Sequence, residues 1–137
     1  MTTHSQIRKP ITPKPGGAAH GPGMTPGTIA GGFIFLSAIR GNGPRGTTMS
    51  DNTRDQARQA FENLKLLLAG AGATLDHVCK VTLYLHDLKY RQDFHEVWME
   101  NFPENPPARI AVQVEDANAT PGGPQAHFAL DVMAVAP

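Results

Sequence analysis

Arg109, His127 and Asp131 are residues whose types suit chemistry on a small charged molecule. The planar guanidinium of Arg109 presents two parallel N–H donors, which is the geometry that binds a carboxylate. The imidazole of His127 is a competent general base at neutral pH, and strand alternation places Asp131 on the same face, where it could orient the ring. Two plainer interpretations stay open: Arg109 in a surface ion pair, and His127 as a half-exposed residue at a strand edge.

Other kinds of site find less support in the sequence. The six histidines and the single cysteine show no metal-ligand spacing, so we expect no metal site. The glycines between residues 21 and 27 follow no strand and are interrupted by prolines, which argues against a dinucleotide loop, and we expect no cofactor. Ser37, His127 and Asp131 include the residue types of a hydrolase triad but lack a nucleophile elbow.

Length and charge limit the class of protein. The chain has 137 residues and is 40% hydrophobic, which is enough for one modest core. Twelve basic and twelve acidic residues give zero net charge, so we expect neither nucleic acid nor an anionic membrane as partner. The longest apolar stretch, residues 29–39, is shorter than the roughly 20 residues of a membrane helix. With one cysteine and no apolar leader, a cytoplasmic location is expected.

Hydrophobic periodicity predicts an α+β protein with the order strand, helix, strand, helix, strand, strand. The predicted strands cover residues 28–38, 78–85, 110–114 and 126–135, with a further short strand before Gly32. The first helix begins at an N-cap, Asp51, and ends at Gly70, and the second stops before Pro103. The two helices most simply lie on one face of a single, mostly antiparallel sheet.

Domain organisation and assembly follow from composition. Residues 1–27 are predicted to be a Gly/Pro-rich arm, since ten of the eighteen residues from Pro10 to Gly27 are glycine or proline, and the folded domain is expected at 28–137. The last strand carries apolar side chains on both of its faces. Because such a sheet leaves neither face suited to water, we expect further copies of the chain to cover it.

From Thr28 onward the chain resembles the RidA/YjgF family of enamine and imine deaminases. The resemblance is carried by Phe33–Ser37, by Gln56 and Glu62–Leu64, by the long block Gly72–Leu85, by Asp87–Leu88 and by the motif Pro107–Arg109. It implies a chorismate-mutase-like fold and a homotrimer whose sheets form an inner barrel. It also implies active sites in the clefts between subunits.

The resemblance further implies hydrolysis of a small carboxylated imine or enamine to a keto acid and ammonia, without a cofactor. In this family the arginine of the Pro-Ala-Arg motif holds the substrate carboxylate, and Arg109 takes that place. The other implied substrate-binding positions are Ser37, Ala38, Ala111, Met24 and His95.

Several of these positions depart from the family pattern. Ala129 stands where the family has a water-orienting glutamate, Met24 replaces a tyrosine, and His95 replaces an asparagine. We expect backbone groups of Ala38 and Ala111 to serve as polar contacts and His127 to replace the glutamate as general base.

Two alternatives stay open beside the deaminase. One is a diverged member of the family that carries out another reaction in a catabolic pathway. The other is a trimeric metabolite-binding protein that does not turn its ligand over. Nuclease activity, a label attached to some relatives, is disfavoured by the zero net charge.

Overall fold

The computed structural model describes residues 7–12, 23–43, 48–118 and 123–137. Within these ranges the chain forms six strands and two α-helices. Their bounds are β1 Lys9–Pro10, β2 Gly27–Ala30, β3 Phe33–Ile39, α1 Thr53–Gly70, β4 Val78–Leu85, α2 Arg91–Asn101, β5 Ala108–Gln113 and β6 Phe128–Val135. Short 3-10 turns at Leu75–His77 and Leu88–Tyr90 precede β4 and α2. From β2 onward the predicted order of elements is confirmed, including the short strand before Gly32, whereas β1 is a strand that the sequence does not predict.

The six strands form one sheet in the order β1-β2-β3-β6-β4-β5. All neighbouring pairs are antiparallel except β4 and β5, which run parallel. The parallel pair arises because α2 lies between β4 and β5 in the chain, and a helical crossover returns the strand in the same direction. The predicted α+β class, with two helices and a mostly antiparallel sheet, is confirmed.

The first helix begins one residue later than the sequence predicts. Asn52, not Asp51, is the N-cap, since its side-chain oxygen accepts a hydrogen bond of 3.0 Å from the backbone N–H of Asp55. This bond satisfies one of the amide donors that a helix start leaves free. Asp51 is thereby left outside the helix.

The core lies between the two helices and one face of the sheet. Phe61 of α1 packs against Phe94, Trp98 and Phe102, with ring centroids 5.9 to 6.4 Å apart. Phe94 in turn meets Phe128 of β6 edge-on at 4.9 Å, which joins the helix layer to the sheet. These contacts hold α2 firmly over the strands, and α2 is the helix that faces the candidate site.

The opposite face of the sheet carries exposed apolar side chains. They come from three strands, β3, β5 and β6, and are Phe33, Phe35, Ile110, Val112, Met133 and Val135. On β3 and β6, Phe33 lies beside Val135 and Phe35 beside Met133, and exposed apolar surface of this kind is typical of an interface. Ala129 lies among these strands but is itself buried.

Part of the predicted N-terminal arm belongs to the sheet. Lys9 and Pro10 pair with β2, and the backbone N–H of Ile11 donates to the carbonyl of Gly27 at 2.9 Å. The Ile11 side chain is only 4% exposed and is part of the core. The predicted domain boundary at residue 28 therefore leaves out a segment that pairs with the sheet. The sequence does not indicate this pairing, because one apolar residue among prolines gives no periodic signal. Residues 13–22 of the arm lie outside the described residues.

Close backbone approach explains why the last residue of the first helix, Gly70, is a glycine. A methyl group at Gly70 would collide with the carbonyl oxygen of Thr12, so the N-terminal segment lies directly against the helix end. Neither helix in the described residues is long and apolar enough to cross a bilayer.

Candidate functional site

Arg109 lies on β5, the strand at one edge of the sheet, beside Val81 of β4. Its side chain turns toward α2, where the guanidinium carbon lies 4.6 Å from the centroid of the Trp98 ring. Trp98 is buried by the aromatic core, so it gives the guanidinium a fixed platform. A cation held over an indole ring is stabilised by the charge distribution of the ring.

His95 is the polar neighbour of Arg109. The guanidinium Nη2 lies 3.1 Å from Nδ1 of His95, which is one helical turn from Trp98 on the same side of α2. Because an arginine can only donate, Nδ1 must be the acceptor, and the ring proton is therefore on Nε2. The imidazole in this arrangement is neutral and holds the guanidinium at one end.

The other end of the Arg109 guanidinium has no partner. Its Nη1 is buried and makes no hydrogen bond with any described residue, and no acidic side chain of the described ranges pairs with it. Burial lowers the pKa of Arg109 below its usual value, and the nearby charge of Arg91 lowers it further. Buried polar groups in native proteins almost always have partners, so this donor is suited to receive an anionic group. The surface ion pair offered as a plainer interpretation is not found among these residues.

His127 lies just before β6 and is only 4% exposed. Its ring stacks on Tyr90, with centroids 3.9 Å apart and planes 2° from parallel, and Nδ1 lies 2.8 Å from the Thr53 hydroxyl. Its backbone N–H donates to the side-chain oxygen of Gln56 at 2.9 Å. The alternative of a half-exposed edge histidine is therefore wrong, because the starts of both helices cover the ring.

The protonation of His127 is set by burial and by Asp51. Burial lowers the pKa of His127, while the Asp51 carboxylate, 3.5 Å from Nε2, opposes part of that effect. A proton on Nε2 directed at Asp51 leaves Nδ1 as the acceptor for the Thr53 hydroxyl. Asp51 thus takes the place next to the ring that the sequence suggested for Asp131. To act as a base, Nδ1 would have to exchange this hydrogen bond.

Within one chain, His127 and Arg109 are not neighbours. Along β4, Arg109 lies beside Val81, and Phe128, the residue after His127, lies beside Leu85. Four residues of strand separate these positions, or about 13 Å. The predicted base and the predicted carboxylate anchor therefore belong to different regions of the same chain.

A second group of predicted residues lies across the sheet. Ser37 is exposed on β3, and it lines a concave pocket of about 400 Å³ on the apolar sheet face together with Thr82 and Asp131. Ala38 follows it, and its carbonyl accepts a hydrogen bond of 3.2 Å from Arg40. Met24 is 58% exposed and directly precedes the pocket-lining residues of the β2 start.

The strand order separates these two groups. Ser37 and Ala38 on β3 are three strands from β5, which is about 14 Å at the usual strand spacing. Ala111 lies on β5 with Arg109 and is half-buried on the same side of that strand. One chain therefore presents Arg109, His95 and Ala111 at one place, and Ser37 and Ala38 at another.

Trp98, Tyr90 and Thr53 have contacts that sequence reasoning missed. Trp98 is predicted only as core, although its spacing from His95 on an amphipathic helix places the two side by side. Tyr90 and Thr53 meet His127 across more than 35 residues of chain, and no local pattern indicates such contacts.

The fold and the arginine at the sheet edge define an α+β protein of the RidA type, and comparison with known proteins supports this class. The profile of the family described as Endoribonuclease L-PSP matches residues 21–135. The chain belongs to this family, which is the RidA/YjgF family that its motifs resemble.

Individual relatives agree with the family. A RutC family protein of Pyrococcus horikoshii is 41% identical over 86 residues, which cover 62% of this chain and 68% of the relative. The crystal structure of RidA from an Antarctic Psychrobacter is 28% identical with a TM-score of 0.80, and the match covers 93% of this chain and 98% of that one. The structure of E. coli TdcF with bound serine is 25% identical with a TM-score of 0.79, covering 94% and 99%.

Proposed function

We propose that this protein is a RidA-type enzyme that hydrolyses a small carboxylated imine or enamine to a keto acid and ammonia. The observation that carries the proposal is the guanidinium of Arg109, which is fixed on Trp98 and His95 while its Nη1 has no partner. A substrate carboxylate would accept from this donor and balance the charge. The serine bound in E. coli TdcF, an amino acid with a carboxylate, supports this ligand class.

A homotrimer completes the proposed site. The two separated groups, one around Arg109 and one around Ser37 and Ala38, cannot touch one ligand within a single chain. Copies that pack through the exposed apolar sheet face would remove that face from water and could bring the β3 group of one subunit toward Arg109 of its neighbour. Active sites between subunits are what the family resemblance implies.

The proposed chemistry needs little from the protein. Water adds to the electrophilic imine carbon and loses a proton, the imine nitrogen gains a proton, and the resulting carbinolamine breaks its C–N bond to release ammonia and the keto acid. Positioning the carboxylate on Arg109 places the imine carbon at a fixed distance from the polar groups around it. The backbone groups of Ala38 and Ala111, and the side chain of His95, are candidates to hold the water.

Two histidines are candidates for the proton carrier. Ala129 offers no carboxylate, so a base must come from elsewhere. His127 stays the predicted base, and its distance from Arg109 within one chain means that it would have to serve the site of a neighbouring subunit. His95 is the titratable group next to the anchor, and it competes with His127 for this role.

Ala129 also favours a second candidate function. A site that keeps the carboxylate anchor and lacks the water-orienting group could bind a metabolite without turning it over, or could carry out another reaction. Tight binding of carboxylates without ammonia release from imines would support this candidate over the deaminase.

Substitution of Arg109 tests the proposal directly. Arg109→Lys keeps the charge but loses the two-pronged geometry and the contact with Trp98, so affinity for 2-oxobutanoate should fall tenfold or more, at about 1.5 to 3 kcal/mol for charge-assisted hydrogen bonds. Calorimetry measures the affinity, and ammonia release from 2-iminobutanoate measures turnover. Arg58→Lys, at an exposed arginine that pairs with Glu100 of α2 and not with the Arg109 group, is the matched control. Unchanged binding in Arg109→Lys would contradict the carboxylate-anchor role.

A further inference from the structure

The charges of α2 are sorted onto two sides of the helix. Its acidic residues face α1, where Asp93 and Glu96 pair with Arg54 and Glu100 pairs with Arg58. These carboxylates are therefore occupied on the side of the helix away from β5. None of them pairs with Arg109.

The other side of α2 carries Arg91, His95 and Trp98, spaced by four and three residues. This spacing places the three side chains in one row, with Arg91 and His95 about 6 Å apart along the helix axis. Since Trp98 and His95 both contact Arg109, the row ends at the guanidinium and begins at Arg91. Arg91 is exposed and makes no ion pair among the described residues.

Two arginines thus lie near each other without an acidic residue between them. Burial is the main cause that lowers the pKa of Arg109, and the charge of Arg91 lowers it further, as expected for two cations joined by the row of α2. A single carboxylate on Arg109 would neutralise only one of the two positive charges. A ligand that carries two negative charges would neutralise both arginines, so it would be bound more favourably than a ligand with one.

We propose that the substrate of this site is dianionic: an imine or enamine with one carboxylate on Arg109 and a second, distal carboxylate on Arg91. This inference rests on the proposed function and names its substrate class. Arg109 then supplies the common anchor, and Arg91 selects substrates with a second acid group. The neutral imidazole of His95, between the two arginines, leaves its Nε2–H free to donate to the ligand.

Binding of two keto acids tests this assignment. The probes are 2-oxoglutarate, which has a distal carboxylate, and 2-oxohexanoate, which has an apolar chain of similar length in its place. Calorimetry on the full chain at one ionic strength should give about tenfold tighter binding of 2-oxoglutarate. In Arg91→Gln, affinity for 2-oxoglutarate should fall about tenfold, while affinity for 2-oxohexanoate should stay within twofold. Lys89→Gln, a neighbouring loss of positive charge outside the row, should leave the preference unchanged.

The outcomes separate this inference from the proposed function. Equal binding of both probes, or a preference that survives Arg91→Gln, would overturn the dianionic substrate while Arg109→Lys still weakens both probes. A preference lost equally in Lys89→Gln would also overturn it, since general charge attraction would then explain the result. Failure of both probes to bind, with no effect of Arg109→Lys, would reject the carboxylate anchor and the dianionic substrate together.

Discussion

Substitution of His127 distinguishes a structural role of this residue from a catalytic one. Its ring is buried, stacked on Tyr90 and hydrogen-bonded to the Thr53 hydroxyl, so it joins the start of β6 to the starts of both helices. His127→Ala removes the stacking, at about 0.5 to 1.5 kcal/mol, and the truncation leaves the Thr53 hydroxyl without its partner, at about 1 to 3 kcal/mol. We therefore expect the free energy of unfolding to fall by about 2 to 4 kcal/mol.

Thermal unfolding measures this loss. At about 3 °C per kcal/mol for a chain of this size, the midpoint should drop by about 6 to 12 °C. All variants must be compared at one protein concentration, since assembly adds to apparent stability. His86→Ala is the matched control, because His86 is half-buried and its ring bonds, within the described part of the chain, only to the Glu115 carbonyl, so its loss should be smaller.

A double-mutant cycle isolates the contact with Thr53. If the hydrogen bond is the cause, Thr53→Val and His127→Ala together should cost less than the sum of the two single changes. An unchanged unfolding midpoint in His127→Ala would refute the structural reasoning. A general base would reveal itself separately, as a loss of turnover of about 100-fold in His127→Gln, whose amide can still bond to Thr53 but cannot take a proton.

Three further results are expected. The contribution of His127 to the free energy of unfolding should be constant above about pH 6.5 and fall as the pH drops below it, because the unfolded chain binds a proton there while burial keeps the folded His127 neutral. This contribution should level off below the lowered folded pKa and be absent in His127→Gln. Light scattering should give three times 14.7 kDa, and a monomer at micromolar concentration would contradict the homotrimer. Ammonia release from 2-iminopropionate should be slow and should rise in Ala129→Glu, whereas a wild-type rate typical of the family would show that the glutamate is dispensable.

The elements of the fold could be predicted because they depend on local patterns. The alternation of Val81, Leu83 and Leu85 indicates β4, although an irregularity between Val78 and Lys80 interrupts the pattern at the start of the strand. The spacing of Phe94, Val97 and Trp98 indicates α2. Ile11 could not be placed, since its burial depends on a strand that forms only by pairing with β2. The N-cap was displaced by one residue because Asp51 and Asn52 are both good capping residues.

The candidate site could be predicted only in part, because its contacts depend on how elements distant in the chain pack together. Arg109 was found through a motif in the sequence, but the Trp98 platform under it depends on how α2 crosses β5. The surroundings of His127 depend on Thr53 and Tyr90, which are distant in the chain. Periodicity identifies which side of an element is apolar, and it does not identify which element will pack there.

The short strand β1 has a consequence for the edge of the sheet. A sheet edge presents unpaired N–H and C=O groups that can pair with another chain, and proteins limit this with short strands and with proline. Lys9 and Pro10 cover β2 with only two residues, and Pro10 has no N–H to offer to a further strand. A chain trimmed past Ile11 would therefore lose more than a core side chain: it would open the β2 edge to intermolecular pairing, and aggregation would follow from a truncation that leaves Arg109 intact.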